Sequence, residues 1–94
     1  MATVTDERIK VIADKNGDLG VLAKLEEELQ EGYEAVVEFI KDPTDPNLEN
    51  HMTEELADAM ITIEQTVFKF GLDDSFKKWR EFKINRTLER MGLK

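Results

Sequence analysis

Residues 26–34, EEELQEGYE, hold five glutamates in nine positions, and Glu38 follows four residues after Glu34. On a helix, like charges three or four residues apart cost about 0.2–0.5 kcal/mol per pair. The acidic residues fall into two patterns: E-E-x-x-E-x-x-E at Glu27, Glu28, Glu31 and Glu34, and E-E-x-x-D at Glu54, Glu55 and Asp58. With about 3.6 residues per turn, Glu28 and Glu31 share a helix face one turn apart, and Glu55 and Asp58 form the same pair on the next helix. Where two such faces meet, four carboxylates converge, and unpaired charges there are intolerable without a cation. Hard oxygen donors suit Mg²⁺ or Mn²⁺. The absence of cysteine and the single histidine leave no sulfur or imidazole set for zinc or copper. The plainer reading, a solvated glutamate-rich face, accounts for either run alone better than for both in succession.

Helices must position these side chains. Asn16-Gly17 and Gly20 punctuate the start, after a weak helix over about residues 5–14. From Leu19 to Lys41 the apolar residues Leu22, Leu25, Leu29, Tyr33, Val36 and Ile40 have the 3–4 spacing of an amphipathic helix, with Asp18 placed to cap it. Gly32, beside that stripe, suggests close approach of another backbone. KDPTDPN (41–47) stops this helix, because two prolines cannot continue it. Helical spacing resumes with Met52, Leu56, Met60, Ile63, Val67 and Phe70, Thr53 serving as cap and Gly71 as terminator. Asp73 or Asp74 opens a third helix carrying Phe76, Trp79, Phe82, Ile84, Leu88 and Met91. No stretch alternates with period two. The expected fold is all-α: a single domain over 1–94, an antiparallel bundle of three long helices plus a short N-terminal one, completed by oligomerisation because 94 residues supply a modest core.

Charge is unevenly spread. Residues 1–76 hold 19 acidic and 6 basic side chains, a balance of −13, whereas residues 77–94 hold 2 acidic and 7 basic ones, a balance of +5. The acidic body argues against binding duplex nucleic acid, which needs a cationic face. No apolar run is long enough for a membrane span and MATVTDERIK lacks the apolar segment of a secretory signal, so a soluble cytoplasmic protein is expected.

KLEEELQEGYEAV (24–36) followed by EELADAM (54–60) resembles the all-α nucleoside triphosphate pyrophosphohydrolases, the MazG-like and dimeric dUTPase superfamily, whose signature is E-E-x-x-E, a spacer, then E-x-x-D. The likeness covers residues 20–71 strongly and the last helix loosely. It implies Mg²⁺-dependent hydrolysis (Mn²⁺ as a possible substitute) of a nucleoside triphosphate between its α- and β-phosphates, giving a monophosphate and pyrophosphate, by a homodimer or homotetramer. Residue by residue, it places Glu28, Glu31, Glu55 and Asp58 as metal ligands and Glu27 near the metal and the attacking water. Glu34 and Glu38 match no role and read as solvated surface. Phosphates not held by the metal need cations: REFKINRTLER (80–90) offers Arg80, Lys83, Arg86 and Arg90, Lys83 and Arg86 first among them, with Lys83, Arg86 and Arg90 on one face and Asn85 adding a hydrogen bond; Lys24 also fits the family pattern. Set against this is a basic helix end complementing the macrodipole.

Trp79 and Phe82 read as core, and His51 as a cap or surface residue. A di-iron carboxylate bundle fails because no Glu-x-x-His pair exists. An EF-hand starting at Asp45 fails at its sixth and twelfth positions, Asn50 and Leu56. The alternative from another class is a non-catalytic helical interaction module, or a nucleotide-binding homologue without activity. The preferred base is not legible in the sequence.

Overall fold

The computed structural model describes residues 4–94 and contains three helices in the order α1 (Glu7–Lys41), α2 (Pro46–Lys69) and α3 (Asp73–Arg90), with no strand among the described residues. The all-helical expectation therefore holds. The separate short N-terminal helix does not stand as its own element: its residues form the first arm of α1, which bends at Gly17 (φ 74°, ψ 172°). That conformation is reached essentially only by glycine. A straight 35-residue helix would run about 52 Å, longer than the 39 Å maximum dimension of the molecule, so the bend is what lets both arms lie on α2.

Asp6 caps α1 by accepting from the Arg8 amide at 3.0 Å. The start of α2 departs from the sequence expectation. Asp45, not Thr53, is its N-cap, accepting from the Asn47 amide at 2.8 Å, and Pro46 occupies the first turn. A proline there loses no hydrogen bond and its fixed φ suits the helix, so the second proline of DPTDP starts a helix instead of ending one. Thr53 lies inside α2, its hydroxyl donating to the Glu49 carbonyl. The end of α2 follows expectation. Gly71 (φ 62°) closes it, with the Leu72 amide bonded to the Val67 carbonyl at 2.8 Å and the Gly71 amide to Phe68 at 3.2 Å.

α1 and α2 pack antiparallel along their lengths. Asn16 donates to Gln65 at 3.0 Å, Lys69 pairs with Asp14 at 3.1 Å, and Gly32 faces the Glu55 carbonyl. The seam between them is built from small and polar residues: Ala13, Val21, Glu28, Gly32 and Ala35 from α1, and Glu55, Thr62, Gln65 and Val67 from α2. Val21 is the largest side chain that is fully buried. Most of the apolar stripe of α1 lies off this seam: Leu22, Leu29, Tyr33 and Ile40 stand exposed on one flank of α1, beside exposed Leu56 and Met60 of α2. Gly32 does lie against another backbone, but a Cβ built on it would meet the Glu55 carbonyl oxygen at 4.0 Å, ordinary contact.

The third helix departs further from the expected bundle. α3 buries no residue and barely touches α2. It is anchored at its start: Phe76 packs on the small cluster of Val4, Ile9 and Val67, and Asp73 accepts from the Val4 amide at 2.9 Å. Beyond that point Trp79, Phe82, Ile84 and Met91 are exposed, so the expected core role of Trp79 and Phe82 is not met within one chain. Among the described residues, no helix is long and apolar enough to cross a membrane.

Candidate metal centre

The two acidic motifs meet across the α1–α2 seam. Because the helices run antiparallel, with Gly32 facing the Glu55 carbonyl, the i,i+3 pairs Glu28/Glu31 and Glu55/Asp58 face one another. One oxygen each from Glu28, Glu55 and Asp58 lies within a 4.8 Å cluster, and so does one each from Glu27, Glu28 and Glu31. Glu28 belongs to both triads. It and Glu55 are buried, at 6% and 8% exposure, and one carboxylate oxygen of each, Oε2, is buried with no hydrogen-bond partner. A buried orphan acceptor ordinarily costs about 1–3 kcal/mol, more when charged. Two of them beside a third carboxylate make a site suited to a cation or to protons.

The electrostatics agree. Burial pushes the Glu28 carboxyl above its usual range, and the neighbouring charges of Glu31 and Asp58 push it further, with Lys24 acting against them. Glu31 is also raised, first by desolvation and then by the charge of Glu55, with which it can share a hydrogen bond. Lys24 sits at the edge of the cluster, its Nζ 3.6 Å from Glu27 and 3.7 Å from Glu28, so it is engaged with the carboxylates themselves.

A cleft of about 500 Å³ opens onto this cluster, lined by Glu31, Glu34, Ala35, Glu38, His51 and Glu55. Glu31 and Glu55 belong to both. Glu34 and Glu38, read from sequence as solvated surface, and His51, read as a cap, thus share a wall with the clustered carboxylates. His51 lies four residues before Glu55 on α2, the spacing that places both on one face. That signal was present in the sequence but hidden by starting the helix at Thr53. On the other side of the seam Leu29, Gly32, Tyr33, Val36, Leu56 and Ala59 line an apolar groove of about 270 Å³. The helix pair is therefore two-faced, acidic on one side and apolar on the other.

The remaining residues singled out from sequence lie elsewhere. Lys83 and Arg86 are on α3, and no side chain of α3 lines the acidic cleft. They flank aromatic rings instead: Lys83 Nζ stands 5.9 Å from the Trp79 ring centre, Arg86 5.7 Å from Phe82, and the two rings meet edge to face at 5.7 Å. Asn85 accepts a hydrogen bond from the Lys94 ammonium. Within one chain Lys83, Asn85 and Arg86 are thus separated from the carboxylates, whereas Lys24 stands beside them.

Compared with known protein families, with curated proteins and with solved structures, the chain matches none.

Proposed function

We propose that this protein is a Mg²⁺-dependent nucleoside triphosphate pyrophosphohydrolase of the MazG-like kind, cleaving between the α- and β-phosphates to give a nucleoside monophosphate and pyrophosphate. The observation that carries the reading is the pair of buried, unpartnered carboxylate oxygens on Glu28 and Glu55, set against Asp58 within a 4.8 Å cluster. Such an arrangement is costly without a ligand and well suited to a hard dication. The oxygen-only donor set fits Mg²⁺ or Mn²⁺.

Glu28, Glu55 and Asp58 would hold the ion, with Glu31 completing the set from the cleft side. A bound dication would supply charge neutralisation at the phosphate oxygens and a water of lowered pKa. Glu27, exposed and clustered with Glu28 and Glu31, would orient that water or accept its proton. Lys24 holds Glu27 and Glu28 in position through its two ion pairs, and can move to a phosphate oxygen when substrate enters. Phosphoryl transfer demands positioning and charge above all, and acidic side chains around a metal meet much of that demand.

A homodimer or homotetramer belongs to this reading. The single chain leaves Leu22, Leu29, Tyr33, Leu56 and Met60 exposed along one flank. Burying one such side chain is worth about 1.5–3 kcal/mol, and an isologous contact would cover the flank on both copies at once. The same exposed surface favours the second reading, a helical interaction module without catalysis.

A panel of nucleoside triphosphates incubated with Mg²⁺ and assayed for pyrophosphate and orthophosphate separates the two. The hydrolase reading expects pyrophosphate and a monophosphate from at least one nucleotide, abolished by EDTA. Orthophosphate as the sole inorganic product, or no metal-dependent product from any nucleotide, would reject it.

A further inference from the structure

We propose that the exposed face of α3 carrying Trp79, Phe82, Lys83 and Arg86 binds single-stranded nucleic acid, its rings stacking on bases and its cations pairing with backbone phosphates. This binding stands on α3 alone and does not depend on the hydrolase reading above.

Three observations lead there. The first is the way side chains share the helix. At about 100° per residue, Trp79, Phe82, Lys83, Arg86 and Arg90 fall within a sector of roughly 100°, along about 16 Å of helix. Rings and cations therefore lie on one stripe. Ile84 and Leu88 lie on the far side of the helix from it. A helix that rests on a lipid surface has another layout, with aromatic and apolar residues gathered on one face and cations on the opposite one. The second is exposure. Trp79 and Phe82 are more than half exposed and, with Lys78, Lys83 and Arg86, line a concavity of about 510 Å³. That volume lies in the range that holds a small organic molecule, and so a nucleotide unit. Lys83 Nζ stands 5.9 Å from the Trp79 ring centre and Arg86 5.7 Å from that of Phe82. Each ring that can take a base thus has a cation beside it for the adjoining phosphate. The third is charge. Among the described residues of α3, Arg80 alone makes an ion pair, with its neighbour Glu81, so Lys78, Lys83 and Arg86 have no carboxylate partner. Residues 77–94 hold 7 basic and 2 acidic side chains in a chain of net charge −8. Because α3 barely touches α2, its positive charge is set apart from the acidic body.

A single strand meets these features better than other anions do. A duplex hides its base faces in the stack and presents more phosphates than one stripe of cations can neutralise. An acidic peptide would engage the cations and leave the rings without a flat partner. In an unpaired strand every base has a free face and every link a negative charge, and both recur along the chain, as rings and cations do along α3.

Trp79 is the only tryptophan of the chain, so its emission reports on this face directly. The titration is run on the full-length protein in EDTA, where no dication can bridge phosphates to the acidic cleft. An oligothymidylate of about 15 nucleotides, near the upper end of single-strand site sizes, is expected to quench Trp79 saturably. Anisotropy of the labelled oligonucleotide should give the same affinity. Two or three phosphate contacts, each adding about −0.7 to the logarithmic salt slope, predict a roughly tenfold loss of affinity between 50 and 200 mM salt. Lys83→Ala/Arg86→Ala should flatten that slope by about 1.4, and Trp79→Ser should weaken binding at least about fivefold. Helix content should stay unchanged in both variants, because α3 buries none of these residues. Absence of quenching, or anisotropy that neither variant alters, would overturn the proposal. Equal affinity for a duplex of the same length would reject base stacking, and equal affinity for thymidine monophosphate would make the face a mononucleotide site instead. Emission that responds to phosphatidylserine vesicles but not to the oligonucleotide would assign the face to lipid. Emission that shifts with protein concentration alone would assign it to a second copy of the chain, and either result would reject the proposal.

Discussion

The α1–α2 pair and α3 contrast two ways in which helical patterning is used. In the pair, most residues facing the partner helix are small or polar, and the seam closes around Glu28 and Glu55. In α3 the apolar residues are large and aromatic, yet none is buried. The pair spends its packing surface on bringing carboxylates together, and the large side chains are left outside. Apolar periodicity on a helix marks a face that needs covering; it does not say whether the cover is in the same chain. The two regions also divide the charge, with carboxylates gathered in one and unpaired cations on the other.

Removing the clustered carboxylates should break this contrast most severely. Glu55→Gln is expected to lower metal-dependent turnover by at least about 100-fold, since even the residues that support metal ligands are worth 10–100-fold. In EDTA the same class of change should act in the opposite direction. Glu28→Gln removes a buried charge with an orphan oxygen and should raise unfolding stability by about 1–3 kcal/mol, measured by urea denaturation.

The bend that lets both arms of α1 reach α2 can be broken separately. Gly17→Ala should destabilise the fold by about 1–3 kcal/mol, because a Cβ is disfavoured at φ 74°, ψ 172° although no atom lies within 4 Å of it. A melting temperature equal to wild type would mean the kink is not required.

The pH dependence sharpens the account of the seam. Glu28 has a folded-state pKa above its ordinary value, so the folded protein binds this proton more tightly than the unfolded chain. Stability of the metal-free protein should therefore rise as the pH falls from neutrality toward the carboxylate range. Asp6 has the opposite sign. The hydrogen bonds and charge of Arg8 hold it at about 2 against an ordinary 3.8, so its contribution is present above the ordinary value and lost as the pH falls through about 2. Thermal melts in EDTA should thus show maximal stability in mildly acidic solution. Mg²⁺ should move the maximum toward neutrality, because metal and proton compete for the same oxygens.

Two smaller effects complete the comparison. Gly32→Ala should stabilise the pair by up to about 1 kcal/mol, since the added Cβ meets only the Glu55 carbonyl at ordinary distance and helix propensity improves. Trp79→Ser should change the stability of the dilute single chain by no more than about 0.5 kcal/mol, as expected for an exposed residue. A large loss there would mean that α3 packs on its own chain.

Much of the candidate site was legible because i,i+3 spacing on a helix is a geometric fact. Once the two glutamate motifs are placed on consecutive antiparallel helices, their meeting follows. What the sequence concealed has physical causes. Pro46 reads as a breaker, but one residue after Asp45 it is a helix starter, and missing that hid His51 from the cleft. The leucine stripe of α1 announces an apolar face without naming what covers it. The seam takes Glu28, Gly32 and Ala35, small or charged residues that a search for an apolar stripe passes over. For α3, Phe76 to Met91 defined a face without a destination, because amphipathicity carries no information about which chain supplies the cover.

The central claim is that Glu28, Glu55 and Asp58 jointly hold a divalent cation, and calorimetric titration of Mn²⁺ into the wild-type chain and into a Glu28→Gln/Glu55→Gln variant tests it most directly. The account predicts saturable binding to the wild type and at least about a tenfold loss of affinity, or 1.4 kcal/mol, in a variant that remains fully helical. Superimposable isotherms for the two proteins would contradict it.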